Sequence, residues 1–234
     1  MDVRVVLVEP EHEGNIGSVA RLAKNFGVEE LWIVNPKTEL GVESRVYAVH
    51  AKELIENAVV VKNLKEAFRG VNFIIGTTAI AAKRTTNVLR MPVTPEELGE
   101  KAASVKGKIA VLLGRESKGL SNRELDRCDV IVTIPTSPVY RTLNVASAAA
   151  IILYELWKAK LQSPRGYFEE AGQDERMRLV RFFDRLSEES RLPVFKRRLA
   201  TKAFHNVISR AFVSKREATL MMGVLRRASK TDKD

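Results

Sequence analysis

Cysteine and histidine are scarce in this chain of 234 residues, which contains one cysteine, Cys128, and three histidines. A single cysteine excludes an internal disulfide bond and a metal cluster held by several thiolates. The histidines, at positions 12, 50 and 205, lie too far apart to show the spacing of metal ligands. We therefore expect no metal cofactor.

Long apolar runs and common nucleotide-binding signatures are also missing. The apolar-rich stretch from 145 to 156 contains serine, tyrosine and glutamate, whereas a bilayer span needs about 20 apolar residues. The N-terminus lacks the charged start and apolar core of a signal peptide, so we expect a cytoplasmic protein with no membrane partner. Neither G-x-G-x-x-G nor G-x-x-x-x-G-K-S/T occurs, which argues against NAD and ATP. The possibility of a nucleoside cofactor held by loops of a different design stays open.

Basic charge is concentrated in the last third of the chain. Residues 1–160 contain 22 Lys or Arg against 19 Asp or Glu, whereas residues 161–234 contain 17 against 10. Residues 191–234 alone contain 12 basic and 3 acidic side chains. Such a surface favours a polyanion such as nucleic acid, because binding releases counterions from the phosphates. The alternative is a solvated helical face of a thermophilic protein, in which Lys, Arg and Glu are abundant.

Short apolar runs rich in β-branched residues alternate with helical patterns through the first 160 residues. This alternation predicts an α/β fold, a parallel sheet with helices on both faces. The predicted strands are 3–8, 31–34, 59–61, 73–75, 109–113 and 130–134. The predicted helices are 16–26, 44–56, 63–69, 95–104, 121–127 and 144–161. Capping boxes begin two of these helices, after Thr94 and after Ser121.

The composition changes after the last of these helices. Residues 162–173 contain one proline and two glycines and are interpreted as a linker between a main domain, 1–161, and a helical extension, 174–234. The extension shows helical periodicity at 177–186, 195–211 and 215–229 but no strand pattern. Three short helices bury little surface alone. We therefore expect them to pack on the main domain or on a partner subunit.

Polar residues follow three of the predicted strands, where an open α/β sheet gathers its ligand-binding loops. The first segment opens a helix near Asn15. The backbone N–H groups at the start of this helix would face an anion, and we expect Arg21 to lie near the same binding site. Taken alone, these two residues also fit a helix N-cap and a surface arginine.

The second and third polar segments lie around residues 113–120 and 140–150. In the second, Gly114 would let the backbone approach a ligand, and Glu116 would accept hydrogen bonds from a ribose or an adenine. An ordinary polar turn before a capped helix explains these residues equally well. In the third segment Asn144 is positioned to cap the following helix, in which alanines permit close backbone approach or simply favour the helix.

Together the three segments read Asn-Ile-Gly-x-x-x-Arg, Leu-Gly-Arg-Glu-x-x-Gly-Leu and Leu-Asn-Val-Ala-x-Ala-x-Ala. In order and spacing they resemble the three motifs of the SpoU/TrmH branch of the SPOUT methyltransferases. The resemblance covers residues 3 to 161. The helical extension is similar to that of members that methylate the ribose of nucleotide 32 in the anticodon loop of transfer RNA.

The resemblance implies a parallel α/β sheet with a deep C-terminal trefoil knot over roughly residues 109–156. It also implies S-adenosylmethionine bent within the knot, and a homodimer in which the arginine of one subunit lies near the methyl donor of the other. The positions that match those contacting the cofactor are Thr77, Thr78, Ala79, Leu113, Gly114, Arg115, Glu116, Ile134, Pro135, Thr142, Leu143 and Asn144.

The implied reaction is attack of a ribose 2′-hydroxyl of transfer RNA, at cytidine or uridine 32, on the sulfonium methyl group. The catalytic positions that match are Arg21, Asn15, Glu116, Thr142 and Asn144. Because a guanidinium rarely loses its proton, we expect Arg21 to clamp a phosphate and stabilise the developing alkoxide. Asn15, Glu116 and Asn144 would hold the arginine and the surrounding loops. Thr142 stands where many relatives have serine, so the hydroxyl is kept.

Three alternatives stay open. An enzyme of the same chemistry acting on ribosomal RNA more often has an N-terminal RNA-binding extension, whereas here the first strand begins at residue 3. A non-catalytic RNA-binding protein of the same fold is argued against by the presence of Arg21 and Asn144. An unrelated nucleotide-binding α/β enzyme is disfavoured by the missing phosphate-binding signatures.

Overall fold

The computed structural model describes residues 2–79, 92–103, 105–162, 169–190 and 192–228. Its centre is a six-stranded sheet in the order β3-β2-β1-β5-β4-β6, and every neighbouring pair is parallel. The strands are β1 (Asp2–Val8), β2 (Glu30–Val34), β3 (Val59–Val61), β4 (Phe73–Thr77), β5 (Lys108–Leu113) and β6 (Val130–Val132).

Helices connect these strands and continue beyond the last one. The helices of the main domain are α1 (Glu13–Asn25), α2 (Val42–Ala48), α3 (Lys52–Glu56), α4 (Leu64–Ala67), α5 (Pro95–Ala102), α6 (Asn122–Leu125) and α7 (Val145–Gln162), with a single 3₁₀ turn (Val49–Ala51) between α2 and α3. The extension contains α8 (Gln173–Glu189), α9 (Val194–Arg210) and α10 (Lys215–Ala228). Within the described residues, no helix is both long and apolar enough to cross a membrane.

The central strands are apolar because both faces of the sheet are covered, as in other parallel sheets. One face packs under α1, α2, α3, α5 and α7 and forms the larger core. The other face packs under the short helices α4 and α6. After β6, which lies beside β4 at one edge, α7 returns to contact both α1 and α5. The chain therefore crosses back over the sheet after its last strand.

The predicted α/β fold is confirmed, and the elements lie close to their predicted bounds. Both predicted capping boxes form: Thr94 caps α5 and Ser121 caps α6, each with a glutamate three residues later. The predicted helix 44–56 is divided into α2, the 3₁₀ turn and α3, and several other bounds shift by a few residues. Two of the shifts bear on the candidate site. β6 ends at Val132, so Ile134 lies beyond it, and α1 begins at Glu13, two residues before Asn15.

The helical extension packs against the main domain at the amino ends of β4 and β6. Arg176 of α8 lies 3.3 Å from the Asp129 carboxylate, both side chains being 4% exposed, and donates to the Asn72 carbonyl. Phe212 stacks on Phe73 with ring centroids 5.3 Å apart. The extension has a small core of its own (Ala171, Leu179, Ile208, Val213 and Ala218). Residues 163–168 of the predicted linker lie outside the described residues, and the predicted division into domains stays a prediction.

Candidate active site

The carboxyl ends of β1, β4, β5 and β6 meet at one edge of the sheet because all the strands run in the same direction. The Thr77 hydroxyl donates to the Leu112 carbonyl at 2.9 Å, and the Thr78 N–H donates to the Val132 carbonyl at 3.0 Å. These bonds draw the ends of β4, β5 and β6 together. The segments 77–79, 113–116 and 133–135, which contain predicted cofactor contacts, therefore begin side by side.

A chain of hydrogen bonds joins the three sequence motifs at this edge. The Asn144 amide donates to Asn15 Oδ1 at 3.1 Å, and the Asn15 amide donates to Glu116 Oε1 at 2.9 Å. Glu116 Oε2 accepts the Glu11 N–H at 2.9 Å. Residues more than 100 positions apart in the sequence thus form one connected polar group.

Glu11 binds the second motif in return. Its carboxylate accepts the Ser117 hydroxyl at 2.7 Å and the Ser117 N–H at 3.0 Å. These hydrogen bonds, the one from the hydroxyl first, lower the pKa of Glu11 from its usual value. Glu116 in the loop after β5 thus accepts from the loop after β1, and Glu11 in the loop after β1 accepts from the loop after β5. The two carboxylates therefore hold these loops together.

A second network fixes the side chain of Arg115. Its guanidinium makes two bonds of 3.0 Å to the Glu124 carboxylate and one of 3.1 Å to Glu9. These bonds raise the pKa of Arg115 above its usual value, and the bond from Arg115 is the main cause that lowers the pKa of Glu9 to about 2. Burial raises the pKa of Glu124, but the bonds from Arg115 and Ser121 outweigh it and the pKa is lowered. Because its guanidinium is occupied, Arg115 offers a ligand its backbone rather than its charge.

Glu9 has a backbone conformation that L-residues rarely adopt, with φ of +47°. A non-glycine residue in this region costs on the order of 1 kcal/mol or more and needs support from its surroundings. Here the Glu9 N–H donates to the Val34 carbonyl, and its carboxylate accepts from Asn35 and Arg115. The loop after β1 is thus held in a fixed, strained course toward Glu11.

Two glycines of the motifs allow close packing of the backbone. A Cβ atom at Gly114 would lie 2.3 Å from the Gly119 carbonyl carbon, so Gly114 permits the loop to fold on itself. The use of Gly114 to let the backbone approach a ligand stays a prediction. A Cβ atom at Gly17 would lie 2.1 Å from the Ser44 carbonyl oxygen, so Gly17 lets α1 and α2 approach closely.

Asn15 and Arg21 lie on the same helix but on different sides of it. Since α1 begins at Glu13 with His12 as its N-cap, Asn15 sits in the first turn and makes tertiary bonds instead of capping. Arg21 is exposed and, within the described residues, makes no hydrogen bond or ion pair. Six residues of helix place it about 9 Å along the axis and about 120° around it from Asn15. Arg21 and Asn15 therefore face different directions, and the prediction that Arg21 acts at the same site as Asn15 stays a prediction.

The third motif follows β6. Asn144 Oδ1 accepts the Ala146 N–H at 2.8 Å, which confirms the predicted cap at the start of α7. Thr142 and Leu143 are exposed, and Thr136 donates to the Arg141 carbonyl at 3.0 Å, closing the loop before them. Ile134 is half-buried against the core, whereas Pro135 is exposed.

Sequence reasoning missed Glu9, Glu11 and Glu124. Glu9 and Glu11 directly follow a buried strand, and Arg115 follows the strand paired with it. Opposite charges just beyond the carboxyl ends of predicted neighbouring strands are the signal that could have found the Glu9–Arg115 pair. The order of β1 beside β5, however, is not evident from the sequence.

Comparisons with known proteins agree with this arrangement. The sequence profile of the SpoU rRNA Methylase family matches residues 2–154. The tRNA (cytidine-2'-O-)-methyltransferase TrmJ of Methanocaldococcus jannaschii is 37% identical over 227 residues, which cover 96% of this chain and 98% of that protein. The tRNA (cytidine/uridine-2'-O-)-methyltransferase TrmJ of Pectobacterium atrosepticum is 34% identical, covering 98% of each chain.

A solved structure is similar over the whole length. It is that of a probable methylase family protein from Haemophilus influenzae, which is 31% identical, with a TM-score of 0.66 over 97% of this chain and 96% of that one. Taken with the profile match and the hydrogen bonds that join the three motifs, these similarities show that the chain belongs to the SpoU rRNA Methylase family.

Proposed function

We propose that this protein transfers a methyl group from S-adenosylmethionine to a ribose 2′-hydroxyl of transfer RNA. The observation that carries the proposal is the hydrogen-bonded chain Asn144–Asn15–Glu116, which unites all three motifs at the carboxyl edge of the sheet. The two TrmJ relatives named above, similar over nearly their whole length, are transfer-RNA 2'-O-methyltransferases. This support favours transfer RNA over ribosomal RNA as the substrate.

The residues at this edge fit S-adenosylmethionine. The cofactor has no phosphate, and the loops at this edge are held together by the carboxylates of Glu9, Glu11 and Glu116 rather than built as a glycine-rich phosphate loop. The residues proposed to hold it, largely through the backbone, are Thr77, Thr78, Ala79, Leu113, Gly114, Arg115, Glu116, Ile134, Pro135, Thr142, Leu143 and Asn144. The cofactor supplies an electrophilic methyl group, and the chain around it would fold as a trefoil knot.

Arg21 is the residue proposed to act on the RNA. Its exposed guanidinium is free to bind a phosphate and to stabilise negative charge developing on the 2′-oxygen, while Asn15, Glu116 and Asn144 position the loops. Because Arg21 points away from Asn15, a second copy of the chain is proposed to bring it to the methyl donor.

The face formed by α2 and α7 is proposed as the contact between the two copies. Both helices pack beside α1, and both leave large apolar side chains exposed, including Val46, Tyr47, Ile151 and Tyr154. Exposed apolar side chains of this kind favour a protein interface. The basic extension is proposed to contact the RNA, and cytidine or uridine 32 in the anticodon loop is proposed as the target. The proposed location is the cytoplasm.

Methyl transfer from labelled S-adenosylmethionine to total transfer RNA, mapped by nuclease digestion, tests this function. We expect label on a ribose of the anticodon loop, and a decrease of at least about 100-fold in kcat for Arg21→Ala, the scale seen when one charge-stabilising donor is removed. Arg123→Ala, an exposed arginine on α6 at the opposite face of the sheet, is the matched control. Label only in ribosomal RNA, or none in either RNA, would overturn the proposal.

A further inference from the structure

A groove of about 920 Å³ separates the main domain from the helical extension. Its main-domain wall is formed by Lys65 of α4 and by the residues just after α4 and just after α6, and its other wall by α8 and α9. The extension is attached at the amino ends of β4 and β6, through Asn72 and Asp129. The groove therefore lies at the opposite end of the sheet from the candidate active site, separated from it by the length of β4, about 16 Å.

The rim of this groove is rich in cations. Four of these cations are exposed and, within the described residues, their side chains make no hydrogen bond or ion pair. They are Lys65, Arg69 and Arg127 of the main domain and Arg198 of α9. Lys202 is half-buried, and its ammonium donates to the Asp126 carbonyl at 3.2 Å. Burial accordingly lowers the pKa of Lys202. An ammonium withdrawn from water and bonded to a carbonyl rather than to a carboxylate is stabilised by any anion that enters.

Two acidic side chains also line the groove, and one of them is already engaged. Asp184 accepts the Thr201 hydroxyl at 2.7 Å, whereas Asp126 is exposed at the rim. The cations thus outnumber the acids. The groove also contains an apolar surface, formed by Phe68, Met177, Val180 and Val194. Cations around an apolar floor suit a ligand that has both phosphates and flat apolar faces.

We infer that this groove binds an unpaired stretch of the RNA substrate, with the phosphates on Arg127 and Arg198 and a base against Phe68. The inference rests on the proposed function, because it takes the RNA to be the substrate of the same enzyme. Residues 191–234 hold 12 basic and 3 acidic side chains, so the surrounding surface also attracts nucleic acid. A base on an aromatic ring with arginines on its phosphates is the usual way in which single strands are bound. The groove would therefore hold the RNA at a distance from the reacting ribose.

Binding of a transfer-RNA transcript to the full-length protein over a salt series tests the inference. The variant Arg127→Gln/Arg198→Gln removes two charges from the groove. The variant Lys52→Gln/Lys62→Gln removes two exposed charges from main-domain residues that do not line the groove, and it has the same net charge as the groove variant. Removing one phosphate-binding cation reduces the slope of log K against log salt by about 1. We expect the groove variant to bind about tenfold more weakly with a slope smaller by about 2, and the control to change by less than about twofold.

Enzyme kinetics separate this inference from the proposed function. The groove variant is expected to show a KM for transfer RNA raised about tenfold with kcat and cofactor binding unchanged, because the groove is remote from the reaction. Val194→Glu, at a residue 72% exposed, places a negative charge at the rim without disturbing the core and is expected to act in the same direction.

Equal effects of the groove and control variants, or no effect of Val194→Glu, would overturn the inference. If the groove variant still binds RNA normally but no longer binds labelled polyglutamate, the inference is overturned in favour of an acidic protein partner. Groove-dependent RNA binding by a protein that transfers no methyl group would contradict the proposed function and leave the groove assignment standing.

Discussion

At the scale of single residues, the candidate site depends on a few charged groups that hold loops rather than face solvent. Glu9 combines a positive φ, an ion pair with Arg115 and a pKa lowered to about 2. Its carboxylate therefore helps to keep the second motif in place beside the first. The resemblance to known motifs does not include Glu9, and the structure shows its role.

Glu9→Gln is expected to make the stability depend less on pH. Since the pKa of Glu9 is about 2 in the folded protein against an ordinary value of 4.5, its charge stabilises the fold above about pH 4.5, and this contribution disappears as the pH falls toward 2. Urea unfolding at a series of pH values should show a variant less stable than the parent at pH 7, with the difference closing below pH 4.5. Glu100→Gln, an exposed carboxylate on α5, is the control. A constant difference across this range would contradict the prediction.

At the scale of elements, α1 is positioned by its contact with α2. The Cβ position of Gly17 is occupied by the Ser44 carbonyl oxygen, so these helices touch through their backbones. This contact sets the direction in which α1 presents Asn15 to the second and third motifs. The helix itself was predictable from its periodicity, but its partner was not.

Gly17→Ala is expected to lower the free energy of unfolding by about 1–3 kcal/mol, because the added methyl group forces the two helices apart. Gly223→Ala is the matched control, since Gly223 is also helical and, among the described residues, no atom outside its own turns of helix lies within 4 Å of its Cβ position. The control should gain about 0.5–1 kcal/mol from the better helix propensity of alanine. Chemical denaturation of both variants measures the two effects, and a stability loss of equal size in both would refute the packing argument.

The attachment of α8 to the sheet depends on a buried ion pair. Arg176 and Asp129 are 3.3 Å apart, Asp129 also accepts the Ile74 N–H, and Arg176 lies over the Phe73 ring. Arg176→Met leaves the Asp129 charge buried and is expected to cost about 3–5 kcal/mol in unfolding free energy. The double variant Arg176→Met/Asp129→Asn should lose markedly less, because no buried charge remains. Equal losses in the single and double variants would show that the charge is not the cause.

At the scale of the whole molecule, the two proposed binding regions lie at opposite ends of one sheet. The carboxyl ends of the strands gather the candidate methyl-transfer site, and the amino ends hold the extension and its cationic groove. A substrate as large as transfer RNA can contact both ends at once, because they are separated by only about 16 Å. The exposed apolar surface on α2 and α7 belongs to neither region.

That surface predicts a dimer, which sedimentation velocity can measure against the chain mass of 26.2 kDa. Ile151→Arg places a charge in the middle of the proposed contact on α7, where the residue is 38% exposed. We expect the parent to sediment at twice the chain mass, and the variant to be monomeric and to lose methyl transfer. Leu220→Arg, on α10, is the control and should stay dimeric. A parent protein that sediments as a monomer would refute the prediction.

The sequence by itself determined the elements and the three motifs. Periodicity, capping boxes at Thr94 and Ser121, and the cap at Asn144 depend on neighbours a few residues away, so local chemistry is enough to predict them. The tertiary structure decided which distant residues meet. The strand order that brings β5 beside β1 places Glu116 against Asn15 and Arg115 against Glu9, across separations of 101 and 106 residues. The docking of α8 through Arg176 likewise creates a groove between segments far apart in the chain. Such contacts depend on how whole elements pack against one another, and no local pattern of residues encodes that packing.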